Sequence, residues 1–125
     1  MIPGAQRFGR AFRLRRRVDF LRIQGQGNKL HVRHFLVFVV RNPTTTQLPP
    51  PRLGVTVTRK VGNAVIRNRI KRWVREAFRR YRIELAAGLD MVWVAKRSAA
   101  QTLFAEVFAD MQRVCSRPEL RRGAA

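Results

Sequence analysis

Acidic residues are what this chain has least of relative to need: 7 Asp and Glu stand against 27 Lys and Arg in 125 residues, a formal net charge of +20. Self-repulsion on that scale destabilises a compact chain on its own, so a polyanionic partner is implied. Nucleic acid is the first candidate, because neutralising phosphates releases counterions. An anionic membrane surface is the second. Lysine is scarce too, with only Lys29, Lys60, Lys71 and Lys96, so nearly all the positive charge is arginine. Its planar fork meets phosphate in a bidentate way and stacks on bases, which suits RNA. A GC-rich genome would give the same bias, so arginine usage alone decides little.

A lone cysteine, Cys115, excludes an intramolecular disulfide and fits a reducing, cytoplasmic compartment. The longest strongly apolar run, Phe35 to Val40, is far short of a membrane span. The N-terminus carries Arg7, Arg10, Arg13 and Arg15 to Arg17 without an apolar secretory stretch behind them. An organelle transit peptide is the alternative there, although serine is missing. His31 and His34 have no carboxylate beside them in sequence, and Cys115 falls among apolar helical positions. The acids are scattered. Neither a protein catalytic residue nor a protein metal site is expected.

Length and an apolar content of 46% suit one core. A single domain over residues 1–125 is expected, ordered from about 13 to 116, with a flexible first dozen residues and a disordered tail after Pro118. Residues from Arg17 to Gln24 suggest a short helix closed by Gly25 and Gly27, with Phe20, Leu21 and Ile23 as its apolar contacts. Lys29 to Val32 is a weak strand. Phe35 to Arg41 is a β-branched and aromatic strand, expected to be buried on both sides. Asn42 to Pro51, with Pro43, Pro49, Pro50 and Pro51, is a loop. Leu53 to Thr58 alternates like a half-buried strand. Asn63 is a plausible N-cap for a helix reaching Tyr81 or Arg82. Gly88-Leu89-Asp90 suggests a turn, Met91 to Ala95 a strand, and Ser98 with Gln101 a capping box before a last helix lined by Leu103, Phe104, Val107, Phe108, Met111 and Val114. The result is an α+β fold, an α/β sandwich with helices covering one sheet.

The long helix carries the functional signal. Residues 67–82 hold Arg67, Arg69, Lys71, Arg72, Arg75, Arg79, Arg80 and Arg82 but a single acid, Glu76. At about 100° per residue, Asn68, Lys71, Arg72, Arg75, Arg79 and Arg82 share one face. Ile66, Ile70, Trp73, Val74, Ala77, Phe78 and Tyr81 share the other. So many like charges disfavour the isolated helix. A merely solvated face would have acids interleaved. A membrane-surface helix would need its apolar side for lipid, and here that side is needed for the core. Just upstream, Arg59 and Lys60 lie where the helix start leaves free N–H groups, a natural place for phosphate.

The block Arg52-Leu-Gly-Val-Thr-Val-Thr-Arg-Lys-Val-Gly-Asn-Ala-Val-Ile-Arg-Asn-Arg-Ile-Lys-Arg-Trp-Val-Arg-Glu-Ala-Phe78 resembles the centre of the bacterial ribonuclease P protein subunit. So do Arg13-Leu14 followed by Asp19-Phe20, and the strand containing Phe38. The resemblance implies the element order αβββαβα with a left-handed βαβ crossover, against the usual rule. It implies two partners, the catalytic RNA of ribonuclease P and precursor tRNA, and one protein per RNA. Contact with the catalytic RNA would fall on Arg67, Asn68, Arg69, Lys71, Arg72 and Arg75. The single-stranded 5′ leader would lie in a cleft lined by Phe20, Phe38, Thr56 and Lys60, with Arg59 beside it. Mg²⁺ would be held mainly by the RNA, which would do the phosphodiester hydrolysis. Gln24 stands where the family often has a second aromatic, and Phe38 where it commonly has Tyr. A general or ribosome-associated RNA-binding protein, a major-groove DNA binder and a protein nuclease are the rival readings.

Overall fold

The computed structural model describes residues 12–42 and 48–123. The elements run α1 (Arg17–Gln26), β1 (Asn28–His31), β2 (Phe35–Arg41), β3 (Arg52–Thr56), α2 (Ala64–Tyr81), β4 (Leu89–Ala95) and α3 (Phe104–Cys115). The expected order αβββαβα is therefore present. One four-stranded sheet has the order β1-β2-β4-β3, with β1, β2 and β4 antiparallel and β3 parallel to β4. That parallel pair is what α2 has to connect.

Period-two side-chain alternation divides the sheet between two clusters. On one face Phe35, Val37, Val39, Leu53, Val55, Leu89, Met91 and Trp93 meet α2 and α3 in the main core. Phe35 and Trp93 touch edge to face at 5.1 Å between centroids. On the other face α1 covers a smaller cluster, with Leu14, Ile23 and Val92 buried and Phe20, Phe38, Val40 and Val94 packed around them. β2 is accordingly not buried equally on both sides: Leu36, Phe38 and Val40 are only half-buried, because the ten residues of α1 cannot cover that face. Leu21 is 56% exposed and contributes nothing to the core, since α1 turns it away from the sheet.

Several boundaries differ from the sequence expectation, β1 running from Asn28 to His31 and β3 starting at Arg52. α1 runs through Gly25 and stops at Gly27, whose N–H bonds the Ile23 carbonyl. β3 ends at Thr56, although Val57 stays buried. The turn before β4 is made by Ala87 and Gly88, the latter at φ +79°; Leu89 and Asp90 are already strand. The stretch Arg97–Gln101 is a separate 3₁₀ turn, and α3 begins at Phe104 without a side-chain cap, so Ser98 and Gln101 form no capping box for it. After Pro118 the chain makes another 3₁₀ turn, buries Leu120 and pairs Arg121 with Leu85. The expected disordered tail is thus ordered to Gly123. The expected flexibility of residues 1–11 and the loop at Pro43 lie outside the described residues.

At the outer edge of β3, Arg13 makes a parallel bridge to Leu53, and the Leu14 N–H donates to the Leu53 carbonyl at 2.8 Å. The segment before α1 therefore lies along β3 and enters α1 already docked.

Candidate nucleic-acid interface

α2 starts where the sequence places it. The Asn63 carboxamide oxygen accepts from the Ile66 N–H at 3.0 Å, satisfying one of the orphan donors of the first turn. Ile70, Val74, Ala77 and Phe78 are buried, and Ile66, Trp73 and Tyr81 pack partly against the same core. The basic side has no place to go but outward. Asn68 and Arg72 are exposed, and Arg67, Arg69, Lys71 and Arg75 are half-buried along the flanks.

Those side chains are not one uniform surface. Arg67 and Arg69 are two residues apart, so the helical turn sends them to opposite flanks. Arg69 leans toward α3, with its guanidinium 5.2 Å over the Trp73 ring and one N–H on the Ala100 carbonyl at 3.3 Å. On the outward side burial, and then the charge of Arg13, lower the pKa of Arg75. Arg79 faces out but is claimed by Glu76, its Nε donating to the carboxylate at 3.1 Å. That hydrogen bond from Arg79 is the main reason the Glu76 carboxyl lies below its usual range. Arg82 lies over the Phe12 ring at 3.8 Å. The outward, acid-poor part of α2 is therefore centred on Asn68, Lys71, Arg72 and Arg75.

A second feature lies across the sheet. Arg15, Arg17, Phe20, Leu21, Gln24 and Thr56 line an open hollow of about 360 Å³ between α1 and β3. Phe20 can reach down to the sheet because position 54 is glycine: a Cβ there would sit 2.5 Å from the tip of its ring. Of the residues expected in a leader cleft, Phe20 and Thr56 meet here, and Gln24 joins them. Phe38 is on the same sheet face but packs into the cluster under α1, with Lys29 Nζ 5.7 Å from its ring centroid. Arg59 and Lys60 are exposed in the turn between β3 and α2, outside the lining of the hollow.

Besides the apolar cluster under α1, a polar tie to the sheet runs through a residue the sequence suggested only as part of a turn. Asp90 is fully buried in β4. Both its oxygens accept from Arg52 at 2.8 Å, and one also accepts from Arg22 of α1 at 3.1 Å and from Asn42 at 3.2 Å. Burial alone would raise this carboxyl, but the hydrogen bonds from Arg52, Arg22 and Asn42 outweigh it and hold the pKa below its usual value. The sequence offered one signal, a lone acid inside an apolar strand of a basic chain.

His34 is likewise not the isolated side chain that sequence distance suggested. It is buried, with Nδ1 2.9 Å from Ser98 Oγ and Nε2 2.8 Å from Glu106, while its backbone N–H donates to Asp110 at 3.0 Å. The cluster ties the β1–β2 turn to α3. Cys115 is buried, and burial pushes its thiol up to about 12, so it is a core residue and not a nucleophile at neutral pH. Among the described residues no three His, Cys, Asp or Glu side chains are grouped to hold a metal, and no helix is long and apolar enough to cross a membrane.

Known proteins share both the sequence and this arrangement. Residues 8–119 match the Ribonuclease P family. A ribonuclease P protein component of Desulfovibrio desulfuricans is 43% identical over 117 residues, covering 92% of this chain and 85% of its own length. That of Syntrophus aciditrophicus is 40% identical over 99 residues, covering 79% of this chain and 80% of its own length. The solved RNase P protein of Staphylococcus aureus superposes with a TM-score of 0.73 at 30% identity, covering 82% of this chain and 91% of that one. The protein from Thermotoga maritima gives 0.72 at 35% identity, covering 84% and 96%. On sequence and fold together, the chain belongs to the ribonuclease P protein family.

Proposed function

We propose that this chain, as the protein component of ribonuclease P, grips the catalytic RNA with the outward side of α2 and the 5′ leader of precursor tRNA with the hollow under α1. The observation that carries the reading is the acid-poor basic side of α2, held outward by a buried underside of Ile70, Val74, Ala77 and Phe78. Phosphate neutralisation supplies affinity there. Across the sheet, the Phe20 ring offers a surface on which a leader base can stack, with Arg15 and Arg17 near enough for its phosphates. The protein thus serves as the accessory subunit of an endoribonuclease, positioning and screening, while the RNA does the hydrolysis. The described residues do not make a metal cage. A cationic surface also repels Mg²⁺, so the metal is assigned to the RNA. One protein per RNA and a cytoplasmic location complete the proposal.

Cleavage of precursor tRNA at low Mg²⁺ with the cognate RNA, with and without the protein, tests this directly. Strong stimulation is expected. Equal binding to unrelated RNAs with no stimulation would instead support the general RNA-binding alternative.

Two variants separate the surfaces. Arg72→Ala with Arg75→Ala should weaken binding to the catalytic RNA and flatten its log–log salt dependence by roughly 0.7–0.9 per lost contact. An unchanged slope would mean that this side of α2 meets no phosphate. Phe20→Ala should lower affinity for precursor tRNA while sparing mature tRNA, by about 1–3 kcal/mol if one base is stacked. Equal loss for both RNAs would make Phe20 a packing residue only.

A further inference from the structure

The seam between α2 and α3 carries a chemistry that phosphate binding does not use. Trp73 meets Phe104 edge to face at 6.2 Å, and Phe104 continues to Phe108 at 5.9 Å. All three rings are only half-buried. Two guanidiniums lie over this row, Arg69 5.2 Å from the Trp73 centroid and Arg80 5.3 and 5.2 Å from those of Phe104 and Phe108. Residues 69 and 80 fall on nearly the same stripe of the helix, about 16 Å apart along its axis. The acid beside them, Glu76, is bonded by Arg79 and sits 3.6 Å from Arg80, so the stripe stays cationic.

A guanidinium held beside two rings has restricted rotamers, and where it stays exposed it can still offer a face to a partner. The Arg80 side chain remains 49% exposed. A planar cation in that state is a stacking platform for a nucleobase. A hydrated ammonium would not serve, being a point charge without a face. The positive charge of the stripe favours a polyanion over a second basic copy of this chain.

The geometry points to a base-stacking site for unpaired RNA along the α2–α3 seam, in which the half-exposed Arg80 guanidinium beside Phe104 and Phe108 takes a nucleobase and Arg69 with Trp73 forms the other end of the seam. This goes beyond the proposed subunit role and is separate from the side of α2 that faces phosphates. One helix then engages RNA in two ways, by charge on its outer side and by stacking along its α3 flank.

Tryptophan emission provides the test, because Trp93 is fully buried and Trp73 lies in the seam. Titrating the whole protein with single-stranded oligoadenylate should quench Trp73, and Trp73→Phe should abolish the quenching while binding persists. Arg69→Lys with Arg80→Lys preserves charge but removes both planes. That pair should bind oligoadenylate about tenfold more weakly with an unchanged salt slope. No quenching in the wild-type protein, or equal affinity in the lysine pair, overturns the stacking site. So does a slope change matching Arg72→Ala with Arg75→Ala, which would reduce the seam to more phosphate contacts. Precursor-tRNA cleavage run in parallel keeps the two ideas apart: stimulation without quenching removes the seam site alone, whereas quenching without stimulation removes the subunit reading alone.

Discussion

Asp90→Ala should cost about 3 kcal/mol of folding stability, the lower end for breaking a buried ion pair, because the stranded Arg22 and Arg52 can still reach water. Both are 29% exposed at the side chain, against 0% for Asp90. Denaturant titration would measure the loss, and an unchanged midpoint would show that the clamp is dispensable. Asp90→Asn keeps the shape and should cost less, but it changes the response to acid. The folded carboxyl titrates below its unfolded value of about 3.9. Its contribution is therefore complete above that value and lost as pH falls through the lower, folded pKa. The wild-type chain should lose stability over that acid window, and the Asn variant should show a shallower decline. The alanine variant also frees α1 at the end opposed to β4, so precursor affinity should fall further than affinity for the catalytic RNA.

Phe78→Ala is expected to have an equal or larger effect, about 3–5 kcal/mol for removing a fully buried ring. Against a typical domain stability of about 5–15 kcal/mol, that leaves the free protein marginal. The basic side of α2 would remain intact in sequence but lose the platform that orients it. RNA binds the folded state, so catalytic RNA should restore part of the lost melting temperature in a concentration-dependent way. Thermal melts with and without RNA would show this. A variant that melts like the wild type would mean that α2 is held by other contacts.

Long-period patterns were legible in the chain; short-range polarity meeting across long sequence distances was not. The 18 residues of α2 repeat their apolar positions through several turns and begin at a good cap, so its limits and its buried underside could be read residue by residue. Local patterns suggested the run of helix, strands, helix, strand and helix, and the resemblance implied the order αβββαβα; which strands pair was not legible. Asp90, by contrast, meets partners 68, 48 and 38 residues away, and beside Gly88 it had the local appearance of a turn residue. His34 finds Glu106 at a separation of 72, and Ser98, suggested as a cap, serves that histidine instead. Within the candidate site, the side of α2 was legible from helical geometry. The meeting of Phe20 and Thr56 came with the resemblance. Gly54 beneath the ring was not legible, because nothing in an alternating strand distinguishes a glycine that seats an aromatic from one that merely interrupts.

The strip of chain at residues 13 and 14 that lies along β3 has a bearing on solubility. A bare strand margin invites another molecule to continue the ladder, the first step toward fibrils. Here one margin is occupied by the chain itself, and the opposite one is the four-residue β1, with Asn28, Lys29 and His31 exposed. Trimming the chain past Leu14 would remove the bridge to Leu53 and bare that margin, and the shortened chain should then aggregate more readily in a light-scattering assay.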